Sequence, residues 1–97
     1  MKKHEIKIYP LYFSQVCYGL KKAELRINDR NYQIGELVCM KEYNPDTKSY
    51  TGNFVTIEIT MVNDVSDFTN VNNQVMFSFN VLNIQQPQKS IGLLSEL

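Results

Sequence analysis

Residues 54–64 read FVTIEITMVND. Val55, Ile57, Ile59 and Met61 alternate with Thr56, Glu58 and Thr60, and a side-chain period of two belongs to a β-strand with one face inward. The pattern recurs along the chain. HEIKIYP (4–10) sets Ile6 and Ile8 inward against Glu5 and Lys7, and QVMFSFNVLN (74–83) puts Val75, Phe77, Phe79 and Val81 on one face. KKAELRIN (21–28) sets Ala23, Leu25 and Ile27 against Lys22, Glu24, Arg26 and Asn28. ELVCMKEY (36–43) is apolar on both faces, which predicts a central strand. About five strands in 97 residues leave room for one hydrophobic centre, so residues 1–97 are read as a single domain. An open sheet of this size would expose long edges, and the expected fold class is α+β, mainly β, curled into a small barrel.

The intervals supply the helices and turns. Pro10 suits a helix start, where its missing N–H costs nothing, and Phe13, Val16, Cys17 and Leu20 form an apolar stripe ended by Gly19. NPDTKSYTGN (44–53) reads as a hairpin loop, and VSDFTNVNN (65–73) as an irregular or one-turn helical link. The tail IQQPQKSIGLLSEL (84–97) is weakly patterned: either a frayed end or a short helix at IGLLSEL. No run approaches the roughly 20 apolar residues needed to cross a bilayer, and Glu5 and Lys7 interrupt any signal-like apolar segment. The expected location is cytoplasmic, with no membrane partner. Cys17 and Cys39 form no CxxC pair, and with a single histidine the chain lacks ligands for a Cys/His zinc site. Two buried thiols are expected, with no metal and no cofactor.

Net charge is zero but unevenly spread. Residues 1–30 hold seven Lys/Arg against three acids, a balance of +4, and residues 31–97 hold three against seven, a balance of −4. That asymmetry predicts one positive face. No P-loop, GxSxG, GxGxxG, HExxH or EF-hand pattern occurs. His4, at the start of the first strand, is expected at the surface. What is left is GLKKAELRINDR (19–30), where Lys21, Lys22, Glu24 and Arg26 crowd one stretch. The plain reading is a solvated strand face of alternating sign, worth little energetically. The functional reading is a groove in which arginine contacts phosphate or carboxylate and Glu24 orients it. All six tyrosines lie in the first 50 residues, and rings beside Lys and Arg suit the stacking of bases; Tyr32 and Tyr43 are the candidates.

GLKKAELR (19–26) resembles the G-x-K-x-x-E-x-R signature of the ASCH superfamily, whose domains are similar to the PUA fold. HEIKIYPLYFSQVCYG (4–19), NDRNYQIGELVCMKEY (28–43) and YTG (50–52) resemble a subgroup of short phage and bacterial members, so the likeness covers roughly residues 4–62. It implies a small PUA-like β-barrel with the motif lining a cleft beside the first helix, and RNA or a nucleotide-like ligand as partner. Carried over by position, Gly19, Lys21, Glu24 and Arg26 are the motif residues, supported by Asp29, Arg30 and Gly35. Some small members look like amidohydrolases acting on acylated cytidine, in which a lysine activates a threonine three residues on and a glutamate assists. Glu24 occupies the threonine's place here, so an enzyme would rest on Lys21, Glu24 and Glu58 without that nucleophile. The leading expectation is a non-enzymatic binding module that holds RNA or a nucleotide through Lys21, Lys22, Glu24, Arg26, Arg30, Tyr32 and Tyr43. A nucleoside amidohydrolase and a phage-type protein–protein adaptor are the alternatives.

Overall fold

In the computed structural model, which describes residues 2–87, the period-two segments form one five-stranded sheet. In chain order the elements are β1 (Lys3–Ile8), α1 (Pro10–Cys17), β2 (Ala23–Ile27), β3 (Leu37–Asn44), β4 (Ser49–Asp64), α2 (Ser66–Thr69) and β5 (Gln74–Gln85). The sheet order is β1-β3-β4-β5-β2, curled into a half-barrel. β1 runs parallel to β3, and every other pair is antiparallel. Among the described residues β1 and β2 are therefore the edges, and the barrel is open along the seam between them.

The core fills the concave side. Ile6 and Ile8 from β1, Val38 and Met40 from β3, Val55, Ile57 and Ile59 from β4, and Val75, Phe77 and Phe79 from β5 are all buried. Helix α1 lies across this surface, with Phe13 and Val16 fully enclosed. Each such side chain contributes on the order of 1.5–3 kcal/mol. Tyr9 is extended, as a residue before proline prefers, and Pro10 begins the helix. Gly19 turns the chain out of the helix at φ +76°, where a side chain would be strained. The Gln15 carbonyl then accepts N–H bonds from both Leu20 (2.8 Å) and Lys21 (3.0 Å), which sets the direction in which the chain enters β2.

Several expectations are corrected. β4 begins at Ser49, so the hairpin loop is shorter than residues 44–53. Met61 is exposed, because a register shift between Ile59 and Met61 reverses the phase of β4 and turns Val62 toward the core instead. Leu20 lies past the helix end and is exposed. On β2 the polar face turns inward: Glu24 is buried, whereas Leu25 and Ile27 are exposed. His4 is buried too, with its ring Nε2 2.7 Å from Glu36 Oε1 and its ring tilted 59° against that of Tyr32, centroids 4.8 Å apart. The helix considered at IGLLSEL falls outside the described residues. Cys17 and Cys39 are free thiols, Cys39 buried and Cys17 half-buried. No helix among the described residues is long and apolar enough to cross a membrane.

Candidate functional site

Glu24 and Arg26 sit on alternate positions of β2, opposite Phe77 and Val75 of β5, so both side chains face the concave side. There the open seam becomes a cleft of about 990 Å³, walled by β1 and β2, with Tyr9 and Tyr12 at the helix end and Asp29 and Arg30 at the other. Glu24 organises it. Its Oε2 accepts from Arg26 Nη2 at 2.7 Å and Nε at 3.0 Å, and its Oε1 lies 3.0 Å from Lys21 Nζ. The carboxylate is nearly enclosed, whereas Lys21 and Arg26 keep 25% and 29% of their side-chain surface open, so the two cations form the accessible part of the group.

Both cations also stitch backbone. Arg26 Nη2 donates to the Lys7 carbonyl at 2.8 Å, reaching from one sheet edge to the other. Lys21 Nζ donates to the Ala23 carbonyl at 2.8 Å and lies 5.8 Å from the Tyr12 ring centroid. Beneath them Tyr32 forms part of the cleft floor, packed 5.0 Å from Phe77. Burial pushes its hydroxyl above the ordinary tyrosine range, while the positive charges of Arg30 and Arg26 pull against that rise. Three side-chain cations (Lys21, Arg26, Arg30) and two acids (Glu24, Asp29) line the cleft, leaving it net positive in a chain of zero net charge, while Lys7 borders it through its backbone.

The residues expected in a site are thus only partly brought together. Lys21, Glu24, Arg26, Asp29 and Arg30 line one cleft. Lys22, one position before the strand, is exposed and does not border the cleft. Tyr32 is 2% exposed, with His4 and Phe77 against it, so its ring is not open to a base. Tyr43 lies outside the cleft, edge-on to Tyr50 at 5.1 Å with Lys7 Nζ 4.0 Å over its ring. Glu58 alternates with the buried Ile57 and Ile59, which places it on the other face of the sheet. Gly35 sits in the turn before β3, its N–H bonded to the Ile59 carbonyl, and does not border the cleft. The tyrosines that do border it, Tyr9 and Tyr12, are 48% and 47% exposed. Their spacing of three at a helix start was the available signal, since it puts both on one side of the first turn. Among the described residues no His/Cys/Asp/Glu cluster fit to hold a metal occurs, and no Ser, Thr, Cys or His lines the cleft.

Residues 3–79 match a family defined as a domain of unknown function, DUF3850. The chain belongs to this family. It is also 40% identical, over 67 residues, to an "uncharacterized 12.9 kDa protein in GpA 3'region" of Escherichia phage P2. That alignment takes in 69% of this chain and 60% of the phage protein, so the chain spans less than two thirds of the relative's length. Every residue lining the cleft falls within the DUF3850 match, so the cleft is built wholly by the family's shared region.

Proposed function

We propose that this DUF3850 domain is an ASCH-type, PUA-like module that binds RNA or a nucleotide-like ligand in the seam cleft, without cleaving it, in the cytoplasm. The observation that carries the reading is the Lys21–Glu24–Arg26 group: two partly open cations pre-positioned by one enclosed carboxylate, facing an open cleft. Fixed Arg and Lys donors suit phosphate oxygens, and they need little reorganisation when their geometry is already set. Arg30 adds a charge at one rim, and the exposed rings of Tyr9 and Tyr12 offer stacking surfaces at the other end. The amidohydrolase alternative is less well supported, because Glu24 stands where a nucleophilic threonine would be needed and Glu58 is on the other side of the sheet.

The test is fluorescence anisotropy with labelled oligoribonucleotide hexamers and with nucleoside monophosphates, across a salt series. Two to three phosphate contacts to a single strand give a slope of log K against log salt of about −1.4 to −2.1. The double variant Lys21→Glu/Arg26→Glu is expected to lose binding and flatten that slope. Lys22→Glu, outside the cleft, is expected to change affinity by less than about twofold, the small effect of a distant exposed charge. Equal loss in both variants, or undiminished binding by the double variant, would refute the assignment of the cleft.

A further inference from the structure

The two walls of the cleft are both sheet edges, and the hydrogen-bond pattern shows which backbone groups face it. In a β-ladder, alternate residues turn their N–H and C=O toward a given neighbour. Phe79 N–H donates to the Lys22 carbonyl and Asn28 N–H to the Asn73 carbonyl, so the even-numbered residues of β2 address β5. Ala23, Leu25 and Ile27 therefore point their backbone groups into the seam. On β1, the Leu37 N–H bond to the Lys2 carbonyl assigns the even-numbered residues to β3, and Glu5 and Lys7 face the seam. Two of these seam carbonyls, those of Lys7 and Ala23, are capped by side chains, Arg26 and Lys21. Among the described residues, the backbone groups of Glu5, Leu25 and Ile27 have no strand partner on that side.

Arg26 bridges the seam with one 2.8 Å hydrogen bond to the Lys7 carbonyl, so the reach of one arginine side chain sets the upper limit of its width, on the scale of two inter-strand spacings, about 9.6 Å. A second copy of the sheet cannot enter, because pairing its β2 here would drive its β5 into β1. An isolated extended peptide can. From the ladder directions β1 and β2 run antiparallel to each other across the seam, so an inserted strand is antiparallel to one wall and parallel to the other whichever way it runs. Its side chains would alternate between two environments. The concave side carries the Lys21 and Arg26 cations, and the outer side carries Leu25 and Ile27, which are 52% and 44% exposed on an edge strand.

We infer that the β1–β2 seam is a docking site for an extended peptide, about the five residues of β2 in length, that alternates acidic and apolar side chains and enters as a sixth strand. Its acidic groups take over Arg26 and Lys21 as these leave the Lys7 and Ala23 carbonyls, and its backbone pairs with the freed edges. This goes beyond the nucleotide reading and occupies the same cleft, so the two ligands exclude each other.

The test uses the whole protein and a pool of fluorescein-labelled heptapeptides that alternate Glu or Asp with Val, Ile or Leu, in both phases, read by anisotropy. Members of the pool are expected to bind, and the tightest is expected to weaken about tenfold or more when alternate backbone amides are N-methylated, the equivalent of one or two net hydrogen bonds. Leu25→Pro, which removes one seam N–H and spares the β5 ladder, is expected to weaken binding by up to about tenfold; if that variant does not fold, the N-methylated peptides decide the matter. No binding by any pool member, or binding insensitive to N-methylation, overturns the proposal. Displacement of bound oligoribonucleotide by the peptide is expected, and peptide binding that leaves the oligonucleotide in place overturns the seam as its location. A peptide that binds where no RNA does leaves this inference standing and removes the nucleotide reading alone.

Discussion

Replacing Glu24 by alanine should cost the fold about 2 kcal/mol, and a double-mutant cycle with Arg26→Ala should recover most of that as coupling. The magnitude follows from where the pair sits. Fully exposed ion pairs contribute roughly 0.2–1 kcal/mol, and breaking a fully buried one costs roughly 3–5 kcal/mol. Glu24 is nearly enclosed and Arg26 about a third open, so the pair falls between those limits. Two nitrogens of one guanidinium converge on a single carboxylate oxygen, at 2.7 and 3.0 Å, which raises the estimate toward that of a charge-assisted bond. Each single variant also loses one contact outside the pair, Glu24→Ala the 3.0 Å ion pair with Lys21 and Arg26→Ala the bond to the Lys7 carbonyl across the seam. The Arg26→Ala loss from that seam bond should persist when residue 24 is already alanine. Urea denaturation followed by circular dichroism measures all four corners of the cycle, and a loss of 2 kcal/mol lowers the melting temperature of a domain this size by about 8–16 °C. A coupling below about 0.5 kcal/mol would mean that the three side chains are a solvated surface cluster, because that value is typical of exposed pairs. The reasoning about a pre-set group of cations would then fail.

Other outcomes follow from the interior. Phe77→Ala removes a ring with no exposed surface that contacts Tyr32 and Phe79, and should destabilise by about 3–5 kcal/mol in the same denaturation assay, whereas Phe68→Ala, 89% exposed on α2, should change stability by less than about 0.5 kcal/mol. Burial, with the Glu42 carboxylate adding to it, pushes the Cys17 thiol from 9.0 to about 11, so iodoacetamide labelling of Cys17 should be slow at pH 8 and accelerate only toward pH 11. The bond from His4 holds the Glu36 carboxyl below its ordinary 4.5; the stability this provides is present above that value and lost as pH falls through the lowered one, and Glu36→Gln should flatten that part of an acid-unfolding curve.

The strands were legible because alternation reports a local property, which face of a ribbon is apolar. β1, β4 and β5 were each written that way, and the expected residues are buried up to Ile59 on β4 and Phe79 on β5, whereas Met61 and Val81 are exposed. The sequence carries no mark of the register shift beyond Ile59, because a bulge arises from how two ladders are reconciled. For β2 the alternation was legible and left two readings of its polar face, a solvated surface or a groove, of which the structure has the groove. An apolar face normally predicts the inside, yet β2 is an edge strand beside an opening, and the enclosed Glu24 is stabilised there by two cations brought from positions 21 and 26. His4 was misplaced for a related reason: Glu36, its partner, is distant in sequence and reaches it only through the parallel pairing of β1 with β3. Lys21, Glu24 and Arg26 could be read together since they are neighbours in the chain. Tyr9 and Tyr12 were passed over in favour of Tyr32 and Tyr43, because exposure depends on what packs above a ring, and that is settled for Tyr32 by Phe77, distant in the sequence, and for Tyr43 by Tyr50 across the β3–β4 hairpin.

The pairing of β2 with β5 alone has a consequence for how the molecule comes into being on the ribosome. Nearly all of the cleft is encoded in the first third of the chain, but β5, the strand against which β2 must lean, follows every other described element in the sequence. The β3-β4-β5 meander closes through neighbouring hairpins, while the amino-terminal segments wait for distant partners, and such long-range contacts form late. Until residues 74–79 have emerged, Lys21, Glu24 and Arg26 have no wall to stand on, so a nascent chain holds the letters of the site without the site.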